Sequence, residues 1–467
     1  MRAAPGALPA QARSRVPGGT AAIALLLSCA STASANGDPL TDMLPASGGA
    51  GLGVALRFER SPYAGGGTRN DLLPLYLYEG RHIYLHASRA GLKRDDGAGG
   101  RVDLFLAHRF EGFPYDRVPP ALAGMNQRGA GLDLGASYER SGPWGAAYAE
   151  LLHDVSAASR GNEFRLGYRY DWDLGRLRLR PHAALALRDA RLNDYYYGVA
   201  PAEALPERPA HSPGAGVNVE LGLFGAYRLS ERLRLLGGVS LTRWPRGVRE
   251  SPIVDARTQG AGVIGLMYAF APEARPWPEP TRLSAKLLYG ASSECDVAKI
   301  VRLACTSTHT EDRSGIAGFE IGRPFIEALY GRPLDLYGYL GVLRHREKGL
   351  QPDFWQVSAY MKAYYHGFPW SDRVRTRAGL GAGLSYAHGI PIDEARERDR
   401  RNTSRLLNYL SPTIDVSIGD LIGARSLRDA YLGFGVSHRS GIFASSQLLG
   451  NVKGGSNYIY SYVEWKM

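Results

Sequence analysis

A histidine and a serine stand two residues apart near the C-terminus of the chain, at His438 and Ser440. In an extended strand, residues i and i+2 lie on the same face of the sheet. The imidazole could therefore act as a general base for the hydroxyl, the pairing that a serine esterase needs. Arg439, which stands between them, is a candidate for binding a substrate.

The residue that would orient this histidine in a catalytic triad stays open. Asp415 and Glu464 are acids of the same region, but Glu464 is expected at the opposite end of its strand. A histidine in an arginine-rich strand end also fits a loop anchor or a contact to phosphate. His345, His366 and His388 lack metal-ligand spacing, so neither a metal site nor a cofactor is expected.

Strands must position these residues, because hydrophobic and polar side chains alternate along much of the chain. In the segment 163–172, one face carries Phe, Leu, Tyr and Trp, and the other carries Glu, Arg, Gly and Asp. The segments 176–187 and 218–228 repeat this period of two. An apolar outer face over a charged interior is typical of an all-β, antiparallel transmembrane β-barrel.

The composition supports this fold class, since the 467 residues include 27 Tyr and 58 Gly. After residue 35 no stretch reaches the ~18 consecutive apolar residues of a transmembrane helix. The arginines alternate into strands instead of forming a patch, which argues against a nucleic-acid partner. An arginine-lined lumen would favour anions, so a small anion-preferring channel is one functional prediction.

The first 35 residues resemble a secretory signal peptide, with a basic start, a short apolar run and an A-x-A site at 33–35. Cys29 follows a lipobox-like stretch, so lipoprotein processing at that residue is the alternative. Removing residues 1–35 takes three Arg and lowers the net charge from +11 to about +8. The remaining cysteines, Cys295 and Cys305, are expected to form a disulfide in an oxidising compartment.

A barrel-like ending lies in the middle of the chain, where an apolar run closes at Tyr268 and Phe270 before a segment with four prolines. Prolines cannot continue a sheet ladder. The prediction is therefore a linker (36–49), a barrel of about 10–12 strands (50–270), a proline-rich linker (271–282) and a second barrel of about eight strands (283–467). One merged barrel of about twenty strands is the alternative.

Long and short connections alternate in the second half, which places both termini in the periplasm and the long loops outside the cell. One long connection carries the charged run 393–401. This run fits a solvated loop tip, or a surface whose arginines bind lipopolysaccharide phosphates.

The first half resembles the MipA/OmpV family of outer-membrane proteins. The segments that carry the resemblance, in order, are 70–78, 154–161, 195–199, 251–254 and 266–270. The resemblance implies a Gram-negative outer-membrane barrel without catalytic residues of its own. It also implies a scaffold role linked to peptidoglycan machinery, with a murein lytic transglycosylase or a synthase as partner.

The region of His438 and Ser440 resembles the His-x-Ser region of PagL-type lipid A deacylases, and Asn457 resembles the downstream Asn-rich part of that motif. Those enzymes place an acid about a dozen residues after the serine, where this chain has Val452. The resemblance implies a serine esterase that acts on lipid A and contacts lipopolysaccharide, with Asn457 as a candidate for binding the substrate. Three functions therefore remain as predictions: an envelope scaffold, a lipid A deacylase and a small channel.

Overall fold

The computed structural model describes residues 49–113, 118–156, 158–270, 283–308, 313–396 and 402–467. The predicted signal peptide, Cys29 and the proline-rich linker lie outside these residues. So do nearly all of the N-terminal linker and the second half of the charged run. Within the described ranges, no helix combines the length and the apolar character needed to cross a membrane.

The first barrel is a closed antiparallel ring of 12 strands. Its strands are β1 (Gly49–Arg60), β2 (Thr68–Glu79), β3 (Ile83–His86), β4 (Arg89–Asp95), β5 (Gly100–Arg109), β6 (Gly131–Gly142), β7 (Gly145–Asp154), β8 (Asn162–Arg169), β9 (Trp172–Leu174), β10 (Leu177–Arg188), β11 (Gly216–Arg228), β12 (Leu233–Arg243) and β13 (Thr258–Ala269). The short β9 prolongs β8 along β10 and adds no position to the ring. The ring closes where β13 pairs with β1.

The second barrel is a closed ring of eight antiparallel strands. They are β14 (Ser284–Ser292), β15 (Gly315–Ile326), β16 (Leu334–Arg346), β17 (Phe354–Tyr365), β18 (Thr376–Ala387), β19 (Leu406–Ser417), β20 (Ala430–Ser440) and β21 (Gly455–Lys466). β14 pairs with β21 and completes this ring separately from the first.

The chain passes from one ring to the other after Phe270, whose N–H donates to the carbonyl of Ala50 at 2.9 Å. This bond continues the β13–β1 pairing inside the first barrel, so Phe270 does not enter a sheet shared by both halves. The prediction of two tandem antiparallel barrels is confirmed, and the merged barrel is not formed.

Alternation along the strands produces the two faces of each wall. In β8, Glu163 and Arg169 are buried in the lumen, whereas Leu166 and Tyr168 point outward and are exposed. Exposed leucine, valine and isoleucine side chains recur on the outer face of both rings. An apolar band of this extent around a closed barrel is what lipid requires.

The long loops of the first barrel meet above its lumen and form a cap. The loops contain the short helices α1 (Ala190–Tyr197) and α2 (Arg246–Arg249). Tyr63 packs against Phe113 with ring centroids 5.0 Å apart, and Tyr197 packs against Trp244 at the same separation. These rings belong to one buried cluster contributed by four loops.

The wall of the first barrel has a gap on the side of the long loops. The hairpin of β3 and β4 pairs with β2 only over Leu77–Glu79, and its tip turns at Ala87, level with Tyr76. Beyond that point, no strand in the described chain pairs with β2 on this side. We call this gap between β2 and Phe110 the window.

A loop of the second barrel fills the window. Residues 441–454, between β20 and β21, are called the gate loop below. Leu72 N–H donates to the carbonyl of Ser445 at 2.7 Å, and Gln447 Nε2 donates to the carbonyl of Phe110 at 3.1 Å. The gate loop therefore hydrogen-bonds to both edges of the window.

The outer faces of the two barrels also contact each other below the window. The hydroxyl of Tyr76 on β2 donates a hydrogen bond to Oδ1 of Asn408 on β19. Near the other end, the hydroxyls of Tyr268 and Tyr330 lie 2.6 Å apart. The barrels thus lie side by side, with contacts from β2 and β13 of the first ring.

Candidate functional site

The candidate histidine lies on the outer face of the second barrel, as its position in β20 predicts. Leu432 and Phe434 on the same face are exposed, and His438 and Ser440 are half-buried. His438 Nδ1 lies 2.7 Å from Asn457 Oδ1 on β21, with which His438 is in register. An amide oxygen at Nδ1 accepts the proton of that nitrogen, which leaves Nε2 free to act as a base.

No acid completes the pair among the residues that the structure describes. Asp415 and Glu464 both point into the lumen, where Arg377 binds them at 2.8 and 3.4 Å. They lie on the opposite side of the wall from His438. Within the described residues, no hydrogen bond joins His438 to Ser440. The serine would therefore need to approach the imidazole on substrate binding.

Arg439 lies inside the barrel and is fully buried. Its Nη1 lies 2.8 Å from Glu394 Oε1, and its Nε donates to Ser385 Oγ at 3.1 Å. Glu394 belongs to the short helix α4 (Ile392–Arg396) of the loop that follows β18. The geometry therefore gives Arg439 a loop-anchoring position, and the sequence-based role in substrate binding would require it to leave the lumen.

The disulfide between Cys295 and Cys305, with Cα atoms 5.8 Å apart, closes a loop that covers the outer wall near the histidine. The loop carries α3 (Val297–Val301) and packs on Val436 of β20 and Ile459 of β21. Between this loop and the wall lies a groove of about 320 Å³. Its lining is almost entirely apolar: Val297, Ala298, Val301, Arg302, Leu380, Leu410 and Pro412.

The groove lies on β18 and β19, one strand away from the candidate histidine. Leu410 lines the groove and is the register partner of His438 across the β19–β20 pair. An apolar groove that leads to a potential general base is a suitable arrangement for an acyl chain. Periodicity could not predict this groove, because it depends on where the disulfide loop folds.

The lumen of the second barrel is filled by side chains. Tyr339 stacks on Tyr360 with centroids 5.3 Å apart. Lys286 Nζ lies 3.0 Å from Glu320 Oε2, with both side chains fully buried. Buried charges that are paired in this way hold each other in place.

The lumen of the first barrel contains a chamber of about 330 Å³. Five arginines and six carboxylates line it: Arg57, Arg89, Arg109, Arg165 and Arg188, with Glu59, Glu111, Asp133, Glu150, Glu163 and Glu220. Arg89 lies 2.8 Å from Glu150, and Arg109 lies 2.8 Å from Glu163. The prediction of an anion-preferring channel depends on arginines without counter-charges. The nearly equal numbers of arginines and carboxylates in the chamber do not favour it.

Glu111, in the loop that follows β5, shows how the arginines affect the ionisation of a buried carboxylate. Burial would raise the pKa of Glu111, but the positive charges of Arg188 and Arg109 outweigh it, and the net shift is downward. Arg188 Nη2 lies 2.8 Å from Glu111 Oε2. Glu111 is therefore held ionised at the top of the chamber.

The described residues contain no group of three or more His, Cys, Asp or Glu side chains arranged to hold a metal ion. His345 is buried in the second lumen, where its Nε2 lies 2.8 Å from Gln356 Oε1. The gate loop was not identified by sequence reasoning. One available signal was the pair of adjacent leucines, Leu448 and Leu449, in a loop that also carries Ile442, Phe443 and Val452.

Comparison with known proteins gives matches over the first barrel. Residues 52–270 match the family model for MltA-interacting protein MipA. The chain is 30% identical over 194 residues to outer membrane protein Omp26La of Vibrio anguillarum, covering 41% of this chain and 75% of that protein. It is 29% identical over the same length to outer membrane protein OmpV of Vibrio cholerae, with the same coverage. It is 24% identical over 224 residues to the MltA-interacting protein of Escherichia coli, covering 48% and 89%.

Proposed function

The chain belongs to the MltA-interacting protein MipA family, and from this premise we propose that it is an envelope scaffold that binds a peptidoglycan-processing enzyme. The family, the two closed barrels and their apolar outer faces place the protein in the Gram-negative outer membrane. The observation that carries the proposal is the family match, which spans the first barrel from β1 to the end of β13. The Escherichia coli relative is named for an interaction with MltA, a name that suggests a lytic transglycosylase as the partner here.

The short-turn end of the first barrel is the surface that we assign to this partner. The chain enters β1 at this end, which we expect to face the periplasm. Arg176 and Arg228 are exposed there, beside the short turn that joins β9 to β10. Arg232 is close by and lies over the ring of Tyr330 at 4.0 Å. Exposed arginines of this kind bind acidic surfaces and accelerate association.

Charge reversal at this end tests the scaffold. We expect the double variant Arg176→Glu and Arg228→Glu to retain less envelope transglycosylase in a pull-down from detergent extracts, by about tenfold or more. Arg246→Glu is the matched control, because Arg246 is equally exposed in α2 at the opposite end of the barrel. Equal recovery with all three forms would exclude this surface.

A second candidate function is supported by the groove beside His438. In this proposal the second barrel hydrolyses an acyl ester of lipid A, with His438 Nε2 as the base and Ser440 Oγ as the nucleophile. Asn457 orients the imidazole in place of an acid, and the apolar groove accepts the acyl chain. The outward position of all three residues gives access from the lipid phase.

Mass spectrometry of lipid A distinguishes the two functions. Cells with the wild-type protein should lose one acyl chain, and cells with Ser440→Ala or His438→Ala should keep it. Ser461→Ala is the control, since Ser461 is an exposed serine of neighbouring β21 on the same outer face. Identical lipid A in all strains would exclude the deacylase and leave the scaffold as the proposed function.

A further inference from the structure

The window in the first barrel lies between two cavities. On the inner side is the chamber of about 330 Å³ in the lumen. On the outer side is a cleft of about 280 Å³ between the barrels. His108 and Glu111 line both cavities, and Gln447 of the gate loop lines the outer one. Displacement of the gate loop would therefore join the cleft to the chamber.

Few bonds attach the gate loop to the first barrel. The backbone bond from Leu72 to Ser445 is supplemented by the N–H of Gln447, which donates to Asp71 Oδ1 at 3.2 Å. Leu448 and Leu449 are buried in one apolar cluster with Leu73 of β2. Val452 belongs to the same cluster, and Gln447 Nε2 adds the bond to Phe110, so three hydrogen bonds and one apolar cluster hold the loop.

The start of the gate loop is strained. Ile442, Phe443 and Ala444 have φ angles of 51, 56 and 58°, three consecutive non-glycine residues in the left-handed region. This conformation is unfavourable for L-residues, and most of all for a β-branched one. Phe443 is 90% exposed, so packing of its side chain does not offset the strain. A strained segment of this kind favours release of the loop.

We propose that residues 441–454 are a lateral gate through which small polar solutes of no net charge enter the first barrel from the inter-barrel cleft. The solute class follows from the linings. The cleft presents charges of both signs and several amide and hydroxyl groups: Arg128, Arg405 and Glu111, with Gln127, Asn402, Thr403 and Ser404. The chamber presents five arginines and six carboxylates, so its lining offers partners to a solute that carries both charges or several polar groups, and it favours neither sign of a simple ion.

A cysteine reporter in the chamber tests the gate in the full-length protein in outer membranes. Ser240 lines the chamber, and Ser240→Cys gives a thiol that a neutral hydroxyethyl methanethiosulfonate reagent can label. Leu72→Cys with Ser445→Cys adds a lock, because residues with hydrogen-bonded backbones lie within the separation that a disulfide spans. We expect labelling of the reporter to slow at least tenfold when the lock is oxidised and to recover on reduction.

The remaining outcomes overturn the gate. Equal labelling with the lock open and closed would mean that solutes reach the chamber by another route. Absence of labelling in both states would mean that the chamber is not accessible. The variant with the reporter and Leu72→Cys alone controls for reduction of the native disulfide, and heat-modifiable gel mobility verifies that each variant is folded.

A second variant tests the role of the strain without a lock. Glycine adopts positive φ without the steric cost of a side chain. Phe443→Gly should therefore stabilise the closed loop and slow labelling of the reporter about fivefold. Faster labelling with Phe443→Gly would contradict the inference that strain at this segment drives opening.

Discussion

Arg377 is the residue on which the interior of the second barrel depends most. Its guanidinium contacts both oxygens of Asp415 at 2.8 Å and lies 3.4 Å from Glu464. Arg377→Gln leaves the buried Asp415 without its counter-charge and leaves Glu464 with Lys286, whose Nζ lies 3.7 Å away. We expect the free energy of unfolding to fall by about 3–5 kcal/mol, measured by urea titration of tryptophan fluorescence in detergent.

The control for this prediction is Arg375, two residues earlier at the end of a turn. Arg375 also contacts an acid, with its Nε 2.8 Å from Asp420 Oδ2, but its side chain is 38% exposed. Arg375→Gln should change the free energy of unfolding by about 0–1 kcal/mol. Similar losses for both variants would show that burial does not determine the strength of these pairs.

The candidate site illustrates what single residues reveal in a sequence. Alternation correctly placed His438 and Ser440 on the outer face of β20, because a period of two assigns every residue to one side of a wall. The partner Asn457 is in register with His438, and register depends on the length of the gate loop. No local pattern specifies that register, so the sequence could suggest Asn457 only by resemblance.

Among the loop elements, the cap over the first barrel should be sensitive to acid. Glu203 accepts a hydrogen bond from Arg128 Nη2 at 2.6 Å and another from Asn126 N–H at 2.8 Å, which joins two loops. Burial would raise the pKa of Glu203, but these bonds outweigh it and the pKa is lowered. The stabilisation is therefore complete above the unfolded pKa, about 4.3, and is lost as the pH falls through the lower folded value.

Limited proteolysis across pH with an acid-stable protease measures this effect. Cleavage in the cap loops should rise below about pH 4 in the wild type, and Glu203→Gln should show the raised cleavage already at neutral pH. Glu207→Gln is the control, because Glu207 is exposed in the same loop. Unchanged cleavage of Glu203→Gln at neutral pH would contradict the assigned role.

The disulfide loop should depend on its covalent closure. α3 is only five residues long and cannot be stable by itself. Replacing Cys295 and Cys305 by serine should destabilise the loop by about 3 kcal/mol and uncover Val436 and Ile459. Protease cleavage within 293–308 would report the loss, while heat-modifiable mobility of the barrel stays unchanged.

At the scale of the whole molecule, the two barrels should remain associated without a covalent link. Tyr76 bonds to Asn408, Tyr268 contacts Tyr330, and the gate loop fills the window. A specific protease site inserted between residues 270 and 283 should allow cleavage after which both halves still co-purify in mild detergent.

Shortening the gate loop provides the contrast for this experiment. Replacing residues 442–453 by a short glycine-rich turn should weaken co-purification of the cleaved halves, because the bonds to Leu72 and Phe110 disappear. Tyr138→Phe on a free outer face of the first barrel serves as the control. Separation of the wild-type halves upon cleavage would show that the contacts between barrels are incidental.

Much of the architecture could be predicted from the sequence, but the joining of the barrels could not. Alternating strands and the prolines after Phe270 indicate two closed rings. The window had one local signal, Pro74 in the middle of β2, since proline in a strand favours an unpaired edge. Nothing in residues 441–454 identifies that edge as their partner, because the contacts involve residues 376 positions apart, as between Asp71 and Gln447.

The filled window also sets an order of assembly. The strands of the first barrel are made first, yet the segment that completes their wall lies between the last two strands of the chain. The N-terminal barrel therefore reaches its final form only after the C-terminal hairpin has formed. A nascent molecule in the periplasm must carry a first barrel with an open window until the gate loop arrives, and a truncation that removes this loop uncovers the window in the N-terminal barrel.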